Sequence, residues 1–123
     1  MTRLITALAV LLAALAFSAP AFAGDAAAGK VTYEQLCWTC HGMTGVGDGP
    51  AGAALNPPPR DFSVGDFAYD ADGNGTAGED ADLAAVIKQG AAAFGGNPSM
   101  APWGHLSDDD VANLIAHIRS LKK

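Results

Sequence analysis

The chain is poor in several things at once, and each shortage excludes a class. It has only two cysteines, Cys37 and Cys40, too few for a disulfide framework or a four-thiolate zinc site. Basic residues are scarce, seven against 13 acids, which argues against nucleic acid as a partner. No apolar run reaches the roughly 20 residues that a membrane-spanning helix needs; Leu4 to Phe17 is 14 long. Aromatics make up only 7%, while there are 15 glycines and 7 prolines. A small domain built this way buries a modest core and needs something to supplement it.

What is present begins with an export segment. Arg3 supplies a positive start, Leu4 to Phe17 an apolar run and Ala21-Phe22-Ala23 a small-x-small cleavage site, the layout of a secretory signal peptide. Residues 1–23 are therefore expected to be removed and 24–123 to form one domain, located in the periplasm or its equivalent. Retention of 1–23 as an anchor is the alternative. Losing Arg3 leaves six basic residues against the same 13 acids, a formal charge of −7. The acids gather at Asp61 to Asp82 and Asp108 to Asp110, an asymmetry able to steer a docking partner as well as to keep the chain soluble.

The rest of the chain is organised around Cys37-Trp38-Thr39-Cys40-His41. C-x-x-C-H is the form of c-type haem attachment, in which two thiols bond the haem edge and the adjoining imidazole binds iron. Residues three apart share one side of a helical turn, so Cys37 and Cys40 can reach one macrocycle while His41 is directed at its centre. A thioredoxin-type dithiol, half a zinc site and a small disulfide loop are the alternatives. Zinc lacks a second pair, since His105 and His117 lie far downstream. A dithiol should follow a buried strand, whereas the residues before Cys37 read as helix. Haem attachment is favoured, and a covalent haem would supply the apolar body that the core lacks.

Taken in order, Asp25 caps a helix whose Ala26, Gly29, Tyr33 and Leu36 recur at helical spacing. Glycine on that stripe costs roughly 1 kcal/mol of helix propensity, most easily rationalised by a second helix crossing there. Gly42 to Pro50 is loop, its glycines letting backbone approach a flat cofactor. An iron-bound imidazole donates its other N–H to a second-shell acceptor, and a carbonyl near Gly49 or Pro50 is the expected one. Ala51 to Leu55 suits a short helical turn before Pro57-Pro58-Pro59. Arg60 is a candidate partner for a haem propionate.

Asp70 to Thr76 resembles the start of a calcium loop, but the twelfth position is Ala81 instead of glutamate and no helix precedes it, so calcium is not expected. Asp80 is read as the cap of a second helix carrying Leu83, Val86 and Ile87 to the core and stopped by Gly90. Ala91 to Gly96 reads as a flexible stretch. Met100, in a proline-flanked loop, is assigned as the second axial iron ligand. Its soft thioether favours reduced iron and raises the potential. Met43 and His105 are its competitors. Ser107 caps the last helix, with Val111, Leu114, Ile115, Ile118 and Leu121 as its apolar stripe and His117 packed beside it.

These motifs, the helix before Cys37-x-x-Cys40-His41-Gly42, the Gly/Pro loop, Met100-Ala101-Pro102 and Leu106-Ser107-Asp108 leading to Leu114-Ile115-x-x-Ile118, resemble those of small class I c-type cytochromes over nearly all of 24–123. The resemblance implies an all-α, small cytochrome c fold: three to four helices and Gly/Pro-rich loops around one covalently bound haem c, first and last helices crossing. It implies a one-electron carrier and no enzyme, working between a redox-protein donor and acceptor, as a monomer or loosely bound to a membrane redox complex. Two departures stand out. His117 takes a place usually aromatic, and the acidic Gly73 to Asp82 insertion has no counterpart in the smallest members. A haem sensor or peroxidase-like enzyme with a labile Met100, and a haem subunit of a larger complex, are the rival functions.

Overall fold

A computed structural model describes residues 24–123; the signal peptide expected over 1–23 lies outside the described residues. Four helices follow in order: α1 (Ala26–Leu36), α2 (Trp38–His41), α3 (Asp80–Gln89) and α4 (Asp108–Ser120). No strand occurs among the described residues, and two short 3₁₀ turns, Phe62–Val64 and Ala91–Phe94, punctuate the loops. No described helix is long and apolar enough to cross a membrane.

The crossing of α1 and α4 is the structural centre, and Gly29 is the reason it can form. Asp25 starts α1 by accepting from the N–H groups of Ala27 and Ala28, and its own N–H donates to Asn113 Oδ1 at 2.8 Å. A Cβ on Gly29 would overlap the Asn113 carbonyl, and one on Gly24 the Ala112 carbonyl. The two helices thus meet backbone to backbone, as the glycine on the stripe predicts. Tyr33 on α1 and Val111, Leu114, Ile115 and Ile118 on α4 are buried there, each worth about 1.5–3 kcal/mol for full burial of a large apolar side chain. Ser107 caps α4 through Oγ, which accepts from the Asp110 N–H at 3.0 Å.

His117 is buried against this crossing at 7% exposure, its ring 4.9 Å from that of Tyr33 in an edge contact. The imidazole fills the aromatic place, but Nε2 is buried with no hydrogen-bond partner. Packing is kept there and polarity is left unsatisfied.

Three local expectations need correction. Glu79, not Asp80, precedes α3 as its cap: the Asp82 carboxylate reaches back to the Glu79 N–H at 2.9 Å, which sets the start one residue earlier. Ala51 to Leu55 forms successive turns instead of a helix, since Gly52 and Leu55 bond only three residues back, at 2.9 and 3.1 Å. Ala91 to Gly96 is ordered as the second 3₁₀ turn, closed by the Gly96 N–H on the Ala91 carbonyl at 2.8 Å. Leu83 and Ile87 are core as expected, while Val86 is half-buried on a cleft wall.

Candidate haem site

Beside the helix crossing, with Leu114 and Ile118 of α4 in its lining, lies a cleft of about 350 Å³. One wall comes from the end of α1 and from α2, with Leu36, Cys37, Cys40 and His41. The loop 55–62 and the chain from Phe67 to Tyr69 extend it, α3 contributes Leu83, Val86 and Ile87, and the segment 97–103 contributes Asn97, Met100 and Trp103. The lining is predominantly apolar, as a site for a flat hydrophobic group must be.

Local sequence fixes the attachment wall. The Cys37 N–H bonds the Tyr33 carbonyl at 2.9 Å and the His41 N–H bonds the Cys37 carbonyl at 3.0 Å, so Cys37 is the joint at which α1 gives way to α2. Gly42, at φ +83°, ends that turn with its N–H on the Trp38 carbonyl. The following loop folds back under the turn: the N–H groups of Gly47, Gly49 and Ala51 donate to the carbonyls of His41, Cys40 and Thr39. The Tyr33 hydroxyl, fully buried, donates to the Gly42 carbonyl at 2.7 Å, tying this loop to the helix crossing.

The two cysteines are not joined to each other in a disulfide. Burial and then the neighbouring Cys40 push the Cys37 thiol up to about 12, the opposite of the low-pKa thiolate that a catalytic dithiol needs. His41 stacks on Phe62, ring centres 4.5 Å apart and planes within 17°. Its Nδ1 lies 3.2 Å from the Arg60 carbonyl. A carbonyl only accepts, so Nδ1 carries the proton and Nε2 is left with a lone pair for a metal. Burial lowers the His41 pKa, the Arg60 bond opposing it. The acceptor is thus Arg60, not a carbonyl near Gly49 or Pro50. That segment is committed elsewhere, with Gly49 packed so closely under α2 that a Cβ would meet the Thr39 and Trp38 carbonyls.

Met100 lines the cleft, whereas neither Met43, 56% exposed, nor His105, also exposed, does. The Arg60 side chain lines it too, but its Nε donates to the Asp66 carbonyl at 2.6 Å and its terminal nitrogen pairs with the Asp66 carboxylate at 3.0 Å. Three of the five guanidinium N–H groups stay available.

The acidic loop is organised by a residue the sequence reading passed over. Asp82, 1% exposed, accepts from the N–H groups of Ala71 at 2.7 Å and Glu79 at 2.9 Å. Burial alone would raise its pKa; the backbone donors of Glu79, Ala71, Asp72 and Gly78 outweigh that and hold it below the usual 3.8. One of its carboxylate oxygens and one each from Asp70 and Asp72 lie within 4.8 Å of one another, with Asp82 next in sequence to Ala81, where the calcium pattern fails. Asp70 and Asp72 in turn accept from the Asn74 N–H, each at 3.1 Å. An acid three residues after Glu79 is the signature of a capping box, a signal that attention to Asp80 obscured.

The donor set therefore fits a covalent haem: two thiols, an imidazole with a free lone pair and a thioether all line one cleft whose surface is otherwise predominantly apolar. The family model for cytochrome c matches residues 26–122. The chain is 37% identical over 105 residues to cytochrome c-554(547) of Halothiobacillus neapolitanus, across 81% of this chain and 100% of that protein. It is 53% identical over 58 residues to cytochrome c-555 of Chlorobaculum tepidum, across 43% of this chain and 53% of that one. Among solved structures it is similar to a chain of the Kuenenia stuttgartiensis reducing HAO-like protein complex, with a TM-score of 0.63 and 29% identity over 77% of this chain and 41% of the other. The fold, the C-x-x-C-H turn and the match along the described chain lead to one conclusion: the protein belongs to the cytochrome c family, as a class I c-type cytochrome that transfers electrons through a covalent haem c.

Proposed function

We propose that the protein is an exported monohaem electron carrier, working in the periplasm or its equivalent between a redox-protein donor and acceptor. Cys37 and Cys40 would hold the haem through two thioethers, His41 and Met100 would ligate its iron, and Arg60 would turn spare N–H groups to a propionate. The observation that supports this reading is that Cys37, Cys40, His41 and Met100 all line one predominantly apolar cleft. The bound haem supplies reversible one-electron chemistry.

The protein's part is to hold and tune. The Arg60 carbonyl fixes the His41 tautomer and raises the basicity of Nε2. Phe62 holds the ring plane by stacking, and the apolar lining keeps water from the iron. With both axial places taken, no site is left for a substrate. The signal peptide at 1–23 accounts for the location.

Optical spectra of the purified protein test this. A ferric near-infrared sulfur-to-iron band that disappears in Met100→Ala supports His/Met ligation; a c-type spectrum without the band sinks it. A second reading, a haem subunit of a larger redox complex, is favoured by the likeness to one chain of a multi-protein assembly. Elution of the native protein near its own mass would count against that reading.

A further inference from the structure

The Met100 wall is fastened in two ways. Behind, it is tied to α3: the Trp103 N–H donates to the Ile87 carbonyl at 2.9 Å, and the backbone at Gly90 passes so close that a Cβ there would stand 2.9 Å from the Met100 carbonyl oxygen. In front, at the exposed rim of the cleft, the fastening is a single side chain. Asn97 Nδ2 donates to the Pro57 carbonyl at 3.2 Å, a contact between residues 40 apart in sequence. Among the described residues it is the sole hydrogen bond joining 55–59 to 91–103.

The same asparagine shapes the loop that it ties down. Its Oδ1 accepts from the Ser99 N–H at 2.9 Å, an Asx turn, and its carbonyl accepts from the Met100 N–H at 3.1 Å. The orientation of the amide follows from these partners. Ser99 offers a donor and so requires the oxygen, which leaves the nitrogen facing the Pro57 carbonyl.

We infer that Asn97 is a positioning residue for Met100: by bridging to the Pro57 carbonyl it holds the two walls together and sets how readily the thioether yields its place to a foreign ligand. The inference rests on the His/Met reading above. Opening of this wall is a local event whose population is set by few bonds, and one hydrogen bond contributes enough to change it severalfold.

The substitutions Asn97→Asp and Asn97→Ala separate the two roles. Aspartate keeps the acceptor for Ser99 but has no N–H for Pro57; alanine loses both and brings no charge. The test titrates imidazole, a neutral ligand, into the mature ferric holoprotein and follows loss of the near-infrared band. Asn97→Asp is expected to bind imidazole about five- to tenfold more tightly than wild type, the effect of losing one hydrogen bond that favours the closed form, and Asn97→Ala, which loses the Asx turn as well, at least as tightly. Ser107→Ala, which removes the α4 cap and about 1 kcal/mol of global stability, should leave imidazole affinity unchanged.

Affinities within about twofold of wild type in both Asn97 variants, less than the loss of one such bond requires, overturn the inference while the His/Met reading stands. An equal rise in Ser107→Ala also overturns it, because general destabilisation would then account for the effect. A wild type lacking the band removes the His/Met reading and this inference with it.

Discussion

The two sides of the molecule are built by different means. At the crossing of α1 and α4, backbone meets backbone, Gly29 lies under the Asn113 carbonyl, and Tyr33 and Leu114 are almost wholly enclosed. Around Met100, loops face each other across a cleft, held by Trp103 to Ile87 behind and Asn97 to Pro57 in front. Close packing has no intermediate positions, whereas a wall held by a few hydrogen bonds opens at modest cost. The histidine side is coupled to the crossing directly, through the Tyr33 hydroxyl on Gly42; the methionine side is coupled to it through α3, by the Trp103 N–H on the Ile87 carbonyl. Axial chemistry and fold stability should therefore respond to different substitutions.

The sharpest way to break that contrast is Met100→Ala. Total loss of the sulfur-to-iron band is expected with the helical signal retained at room temperature, since the core cluster around the helix crossing is made without Met100; a collapse of that signal would show that the cleft wall is part of the core after all. Next comes Gly29→Ala. Alanine improves helix propensity by about 1 kcal/mol, yet overlap with the Asn113 carbonyl should leave a net loss of about 2 kcal/mol. Chemical denaturation followed by circular dichroism would measure it, and the optical spectrum of the folded variant should match wild type.

His117→Phe sharpens the comparison from the other direction. It keeps the edge contact with Tyr33 and removes a buried nitrogen that has no partner, so a gain of about 1 kcal/mol is expected. Burial first, then Lys30, holds the His117 pKa below the usual 6.5, against the pull of Glu34. A base whose pKa is lowered by folding binds fewer protons in the native state than in the unfolded one. Its stabilising share is thus complete above pH 6.5 and is lost as the pH falls through the lowered native value. His117→Phe should be flatter than wild type on that acid side.

The smallest effect belongs to Asp82→Asn, which concerns the loop and not the crossing. The native carboxyl lies below the usual 3.8, so its contribution is full above that value and disappears as the pH falls through the lowered one. Acid unfolding curves of the variant should lose this component. Unchanged acid curves would mean that the four backbone donors do not depend on the charge.

Most of the fold was legible because its determinants are local or periodic. Asp25 and Ser107 announce helix starts, the α4 stripe has a clear period, and Gly29 betrays the crossing by its cost. The C-x-x-C-H turn was equally plain, because covalent geometry dictates its spacing. The partner of His41 was not. Arg60 is 19 residues away in sequence, and a backbone carbonyl has no side-chain signature, so only the path of the chain could reveal it. Asn97 escaped for the same reason: its partner is the carbonyl of Pro57, and nothing about proline marks that oxygen as an anchor. Asp82 was hidden differently, behind the more obvious acid at Asp80, though its spacing from Glu79 held the clue. Ala91 to Gly96 looked mobile on composition, while the Gly96 to Ala91 bond gives it a defined turn.

The Tyr33 hydroxyl has one more consequence. Burial first, with the charge of Asp48 adding to it, holds that phenol well above its usual value of 10. Tyr33 therefore stays un-ionised in the native protein through an alkaline titration and gains its phenolate absorbance only when the helix crossing gives way. The chain carries its own ultraviolet alarm for alkaline failure of the rigid half, at wavelengths that can be followed beside the visible bands of the haem.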